Sequence, residues 1–356
     1  MPATQVASAP GKLVLVGEYA VLEGAPAISA AVNIFATATL QPAAKATSEL
    51  HIANCGSRYE FSVTPGGALE WRADPGDLGA LLDAALKELT ARGIYRGALP
   101  PVSLELCSRS FYSDENAGVT QKIGTGSSAA MIVALTSALQ SYLGVKPTFE
   151  VCLDAHRRFQ HGKGSGIDVA TSWFGGVIFM QSKGGDVPAI EQLAWPGGLN
   201  VMPVWTGQSA STTAMLKRLE VYKGQSPEAC RRAMQGLVVA AEETCKYWHA
   251  GDADDVIAAL DEYGSLLREL DAAADIGIWS ECHANINNIA REFGVAYKPS
   301  GAGGGDFGLA FSRDAGRLQE FLTRVDAELV PQPMTLEWAE KGLAINGKAV
   351  ASALPD

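Results

Sequence analysis

Lys122-Ile123-Gly124-Thr125-Gly126-Ser127-Ser128-Ala129-Ala130 empties without a break into MIVALTSALQSYLG, residues 131–144, an Ala- and Leu-rich helical pattern. A glycine loop that opens a helix leaves several amide N–H groups without a helical partner, beside the positive end of the helix dipole. Such a start is a ready site for an anion, above all a phosphate. Ser127 and Ser128 add hydroxyls able to cap the helix, bond a phosphate oxygen or ligate Mg²⁺; a serine-capped turn with no ligand would carry the same letters. The loop is not a Walker A sequence, because GxxxxGK[ST] occurs nowhere in the chain. It does fit G-x-G-x-x-A. The acidic residue a dinucleotide fold needs about twenty positions on is missing, however, since Glu150 and Asp154 come too late.

Three other segments share this glycine-rich character. Residues 9–22, APGKLVLVGEYAVL, place Lys12 at the start of an apolar strand, from which its ammonium can reach into a cleft, with Gly17-Glu18 just beyond. Residues 298–308, KPSGAGGGDFG, hold five glycines in the eight positions from Gly301 to Gly308. Each costs conformational entropy on folding, so their use is a strained turn or close approach of backbone to a ligand. GxGxxG recurs there, but the residues after it, GLAFS, read as a strand, which removes the Rossmann reading. Residues 160–170, QHGKGSGIDVA, set Asp168 after a flexible turn and before an apolar run. Taken alone it reads as a helix N-cap; beside a phosphate loop it becomes a candidate base or electrostatic partner.

Around these segments the chain reads as α+β. Strands are expected at 13–16, 34–40 and 102–107, with a hairpin formed by 51–54 and 59–63. A helix opens at Asp77 with Leu78, Leu81, Leu82, Leu86 and Leu89 on one stripe and Gly93 as its stop. Further helices are expected at 149–160, 227–250, 254–270, 280–293 and 317–327, with Ser226-Pro227 as N-cap and N1. Strands are expected at 199–205, 308–311 and 335–338. Residues 181–198 shift to Gly, Pro and isolated charges, which suggests a crossing between a first unit, 1–190, and a second, 191–356.

Composition narrows the function. Of 356 residues, 47% are hydrophobic, enough for a sizeable core, so disorder of the whole chain is excluded. The net charge of −11 makes nucleic acid an unsuitable partner. No stretch approaches the ~20 apolar residues of a membrane span, and the opening MPATQVASAPGK does not read as a secretory leader, so a cytoplasmic location is expected. Six scattered cysteines and five histidines show neither CxxC nor HExxH spacing.

The segments APGKLVLVGEYAVLEGAPA, KIGTGSSAA and KPSGAGGGDFG, in this order over residues 9–308, resemble the three signatures of the GHMP kinases. Within that superfamily Lys122 before the loop, GKGSGIDVA, Trp205-Thr206-Gly207 with Ala210-Ser211-Thr212, and the GGGD form of the third signature look like the phosphomevalonate kinase branch. Thr125 departs from a common leucine and so puts a polar group near the phosphates. Phe307 departs from a frequent cysteine and bears on the acceptor pocket.

The resemblance implies a two-domain fold, with an N-terminal nucleotide-binding domain like domain 2 of ribosomal protein S5, a C-terminal ferredoxin-like α/β sandwich, and the active site in the cleft between them. It implies ATP as co-substrate, Mg²⁺ as cofactor, phosphomevalonate as the phosphate acceptor, and allows a homodimer. Gly124, Thr125, Gly126, Ser127, Ser128 and Ala129 would bind ATP, with Ser128 on the metal; Lys12, Lys122 and Asp168 would act in catalysis. Lys12, Ser165, Ser211, Ser300, Gly301 and Ala302 would bind the acceptor. Rival readings are a mevalonate kinase or other small-molecule kinase with an alcohol acceptor, a diphosphomevalonate decarboxylase, and a binding protein without catalysis.

Overall fold

The structure is a computed structural model that describes residues 3–97, 99–113, 121–162, 164–182, 188–329, 334 and 336–350. Its first lobe is built on a mostly antiparallel ten-stranded sheet. The strands are β1 (Gln5–Val16), β2 (Ala27–Pro42), β3 (Ser48–Ile52), β4 (Ser57–Val63), β5 (Leu69–Trp71) and β6 (Val102–Cys107), then β7 (Val177–Gln181) and β8 (Ala189–Leu193). Four helices belong to this lobe: α1 (Asp77–Ala91), α2 (Ser127–Tyr142), α3 (Phe149–Phe159) and α4 (Ile167–Phe174). β1 and β2 run antiparallel, β2 pairs with both β6 and β7, and the single parallel pair among the described strands is β3 with β6.

The second lobe has a three-stranded antiparallel sheet of β9 (Asn200–Trp205), β10 (Ala296–Pro299) and β11 (Phe307–Ser312), in the order β10-β11-β9. Its helices are α5 (Thr212–Gln225), α6 (Pro227–Ala250), α7 (Ala253–Ala274), α8 (Glu281–Glu292) and α9 (Ala315–Glu328). The chain then returns to the first sheet, where β12 (Ala344–Ile345) pairs with β1 and with β13 (Lys348–Ala349). β8 also lies in the first sheet, inside the stretch read as a crossing, of which residues 183–187 fall outside the described residues.

β1 serves two cores. Ala7 and Ala9 belong to the core under α1–α4, while Leu13, Leu15 and Val16 join the core of α6, α7 and the small sheet. α2 is buried almost all round, because Ala, Ser and Thr let β1, β2 and its neighbouring helices approach closely. β6, α6 and the start of α1 match their expected bounds, and α3, α7, α8, α9 and β11 agree to within a few residues. β1 and β2 run well beyond their expected bounds, and two further expectations differ. Residues 336–338 make no strand; Trp338 contributes one bridge to Val32. Lys12 sits inside a twelve-residue strand and not at its mouth, because Pro10 lacks an N–H and the ladder slips there.

Candidate active site

The slip decides where Lys12 goes. Between Pro10 and Gly11 the pairing jumps from Phe35 to Val32, and the Lys12 amide donates to the Thr125 carbonyl in the glycine loop at 2.9 Å. The first and second glycine segments are thereby locked together by backbone. Lys12 Nζ lies 2.9 Å from Asp168 Oδ1; the lysine side chain is 9% exposed and the aspartate 33%. Asp168 is in the first turn of α4, whose N-cap is Gly166, so it is not the cap that its isolated reading suggested.

The loop itself is shaped by glycine. Gly124 and Gly126 both have positive φ, 72° and 80°. A Cβ on Gly124 would overlap the Asp306 carboxyl, and one on Gly126 would lie 3.1 Å from the Lys12 side chain. Gly126 is the N-cap of α2 and offers no side-chain cap, and neither Ser127 nor Ser128 takes that place. The amides of Ser127, Ser128 and Ala129 thus head the helix with no carbonyl before them in it. α5, α7, α8 and α9 start differently: Ser211, Asp252, Ser280 and Asp314 cap them with side-chain oxygens. The start of α2 therefore keeps its amide donors uncapped, beside a lysine.

The third segment closes over the first. Ser300 Oγ donates to the Val14 carbonyl at 2.9 Å and accepts from the Val14 amide at 3.0 Å. Tyr19 donates its hydroxyl to the Ala302 carbonyl at 2.6 Å. Below them Lys298 and Glu18 form an ion pair with side chains 0% and 1% exposed.

Comparisons with known proteins bear on the family. Residues 91–176, which include the loop and Asp168, match the family described as the GHMP kinases N terminal domain. A phosphomevalonate kinase of Streptomyces sp. (strain CL190) is 28% identical over 380 residues, spanning 93% of this chain and 97% of that protein. A mevalonate kinase of Pyrococcus abyssi is 26% identical, over 97% of this chain and 98% of its own. The crystal structure of Streptococcus pneumoniae phosphomevalonate kinase in complex with phosphomevalonate and AMPPNP superposes with a TM-score of 0.74 at 19% identity, over 94% of this chain and 99% of that one. Residues 91–176 carry a GHMP kinase N-terminal domain, and the relatives that match over nearly the whole chain are kinases.

The candidate residues do not all converge. Lys12, Asp168, Gly124, Thr125 and Gly126 do. Ser127, Ser128 and Ala129 follow directly in α2. Lys122 is exposed, bridged through its backbone to Tyr112, and has no carboxylate within ion-pairing distance among the described residues. Ser165 accepts from the Ile167 amide at 3.3 Å, and Ser211 is the exposed N-cap of α5. Ser300 is 7% exposed with both its hydrogen bonds made to Val14, so that it stitches the third segment to the first. Gly301 and Ala302 remain half-buried on the loop.

The two departures from the family pattern are both interior. The Thr125 hydroxyl is buried without a hydrogen-bond partner among the described residues, so it is turned away from the loop's open side. Phe307 is fully buried with its ring 5.3 Å from Trp205, which makes it core and removes it from any pocket wall.

Three buried titratable groups near these segments were not legible in the sequence. Asp306 follows the glycines at φ 55°, accepts from the Ala210 amide at 3.2 Å, and burial pushes its carboxyl up to about 6. His156 lies buried behind the Lys12–Asp168 pair, and burial lowers its imidazole. His283 joins Tyr297 at 2.8 Å and the Gly305 carbonyl at 3.0 Å. A carbonyl only accepts, so Nε2 carries the proton and Nδ1 accepts from Tyr297. Burial lowers His283 to about 4 and keeps it neutral.

No group of three or more His, Cys, Asp or Glu able to hold a metal occurs among the described residues. A metal carried by phosphates asks for less, since Mg²⁺ keeps waters and takes one or two protein oxygens. The half-buried Ser128 hydroxyl in the first turn of α2 fits that requirement. No helix among the described residues is long and apolar enough to cross a membrane.

Proposed function

We propose that this protein is a GHMP kinase that transfers the γ-phosphoryl group of ATP to a phosphate oxygen of (R)-5-phosphomevalonate, giving the 5-diphosphate and ADP. The observation that carries the reading is the convergence on Lys12. One lysine is held through its amide by the phosphate-loop carbonyl and through its ammonium by Asp168, beside the uncapped start of α2. The full-length likeness to a phosphomevalonate kinase supports this acceptor.

A phosphate acceptor needs little proton removal at neutral pH. The main obstacle is bringing two polyanions together, so positioning and charge neutralisation dominate. The amides of Ser127, Ser128 and Ala129 would hold the phosphates of ATP. Lys12 would meet the charge that builds on the transferred group, with Asp168 fixing where its ammonium points. Lys122, exposed at the loop's entrance, would add to the field that draws in the anions. Ser128 would hold Mg²⁺, which would supply charge neutralisation on the phosphates. Gly301, Ala302, Ser165 and Ser211 would border the acceptor. The division into units 1–190 and 191–356 belongs to the same reading, with β8 of the first sheet running across its boundary and β12 and β13 returning to that sheet.

A second reading has its own support: mevalonate kinases from several archaea match over most of their lengths at 24–26% identity. There the acceptor is an alcohol, and Asp168 would have to take its proton. ADP release measured with (R)-5-phosphomevalonate and with (R)-mevalonate, each with and without Mg²⁺, separates the two. Turnover of phosphomevalonate with mevalonate inert is expected. The reverse result replaces the first reading with the second.

A further inference from the structure

Asp306 places a carboxyl against the backbone of the loop that the kinase-site reading assigns to the triphosphate. Its position is over-determined. Its amide donates to the Gln208 carbonyl at 2.7 Å, and its own carbonyl accepts from the Thr206 amide and hydroxyl, each at 3.0 Å. Oδ1 accepts from the Ala210 amide at 3.2 Å, while the carboxyl also packs on Gly124. Aspartate tolerates the left-handed backbone that this position requires, so the strain at φ 55° is modest. One residue of the second lobe thus bridges the 206–210 segment and the phosphate loop.

A negative charge at that spot works against the loop's purpose, since an anion arriving on α2 would face it. We infer that Asp306 is a positioning residue for the phosphate loop and that nucleotide binding is coupled to proton uptake at its carboxyl. This rests on the kinase-site reading. The groups that face Asp306 are few. Lys12 lies close enough to favour the carboxylate, with Asp168 behind it. On the phosphate loop Lys122 is two residues from Gly124. The 206–210 segment, Thr-Gly-Gln-Ser-Ala, has no titratable side chain. From α8, neutral His283 reaches the neighbouring Gly305 carbonyl. Burial already brings the carboxyl to about 6. A polyanion bound alongside raises it further, because like charges disfavour ionisation.

That fixes the sign of the pH dependence. Below about pH 6 the free protein already carries this proton, and binding takes up none there. Above it the proton must be acquired on binding, so affinity falls as pH rises, by roughly tenfold for each unit by which the nucleotide raises the carboxyl. Once contacts are formed, the protonated carboxyl stays bridged to Ala210 and carries no charge against the phosphates. Repulsion is relieved without the bridge opening.

The test is calorimetric titration of the full chain with a non-hydrolysable ATP analogue and Mg²⁺, in buffers of different ionisation enthalpy, from pH 5.5 to 8. Wild-type protein should take up more protons than Asp306→Asn, by roughly a few tenths of a proton at pH 7. Asp306→Asn should show a flatter affinity profile, with tighter binding than wild type at pH 8. Asp306→Glu should keep the uptake. A merely structural role would shift affinity in Asp306→Asn by the same factor at every pH. Equal uptake in wild type and Asp306→Asn, or such a uniform shift, overturns the inference alone. Failure of wild-type protein to bind the analogue overturns the kinase-site reading and this inference with it.

Discussion

Lys12 faces Asp168 at 2.9 Å and Lys298 faces Glu18 in a second ion pair, yet the same chemistry is set in opposite surroundings. The Asp168 side chain is a third exposed; neither partner of the other pair meets solvent. Lys298 also donates to the Pro299 carbonyl at 3.0 Å, Glu18 keeps one carboxylate oxygen buried without a partner among the described residues, and the Tyr263 hydroxyl donates to the Glu18 carbonyl at 2.7 Å. Both pairs join residues far apart in the chain. The first is open to solvent on its Asp168 side. The second is sealed and can only pin β10 to the turn after β1. Within one molecule, access to solvent separates an ion pair that can work from one that holds.

The largest expected effect breaks the pin. Lys298→Met leaves the Glu18 charge buried and unpaired, which should cost about 3–5 kcal/mol in urea denaturation. Lys298→Met combined with Glu18→Leu should recover most of it. A stable single variant would contradict the sealed-pair reading.

Next comes Lys12→Met. Turnover should fall by about 10²–10³-fold, as on loss of one preorganised charge, while stability changes by under about 1 kcal/mol because Asp168 is solvated. Lys122→Ala, which removes an exposed ammonium, should cost about tenfold. Equal losses in the two variants would show that placement by Asp168 does not matter.

His283 sharpens the interior side of the comparison. Its folded value lies near 4, below the unfolded 6.5, so between those values the unfolded chain binds more protons. Its contribution, up to ~3 kcal/mol, is present above pH 6.5 and is lost as pH falls towards 4. Stability measured against pH in wild type and His283→Gln should show that slope in the former alone. The smallest effect belongs to Ser300→Ala. It leaves the Val14 amide and carbonyl unpaired and should cost about 1–3 kcal/mol by the same denaturation assay.

How much the sequence disclosed depends on the range of each signal. α6 and β6 were legible because Ser226-Pro227 and strict alternation are local. α5 was not: only Met215 and Leu219 are buried on it, too few to give a stripe. β12 and β13 have two residues each, below any periodicity, and only contact with β1 defines them. Half of β2 was missed because Ala27–Val32 is buried continuously and does not alternate. In the site, the glycine loop and Lys12 declared themselves by composition. Asp306 stood in the quoted GGGD but acquires meaning only from Gly124, 182 positions earlier. The serine at 300 looked like a ligand group because its bonds to Val14 span 286 positions.

A crystal structure with a non-hydrolysable ATP analogue and Mg²⁺ is the most direct test. The phosphates should lie within hydrogen-bond distance of the Ser127, Ser128 and Ala129 amides, with the Lys12 ammonium on the terminal phosphate and Asp168 still beside it. A nucleotide bound elsewhere, away from the start of α2, would contradict the site.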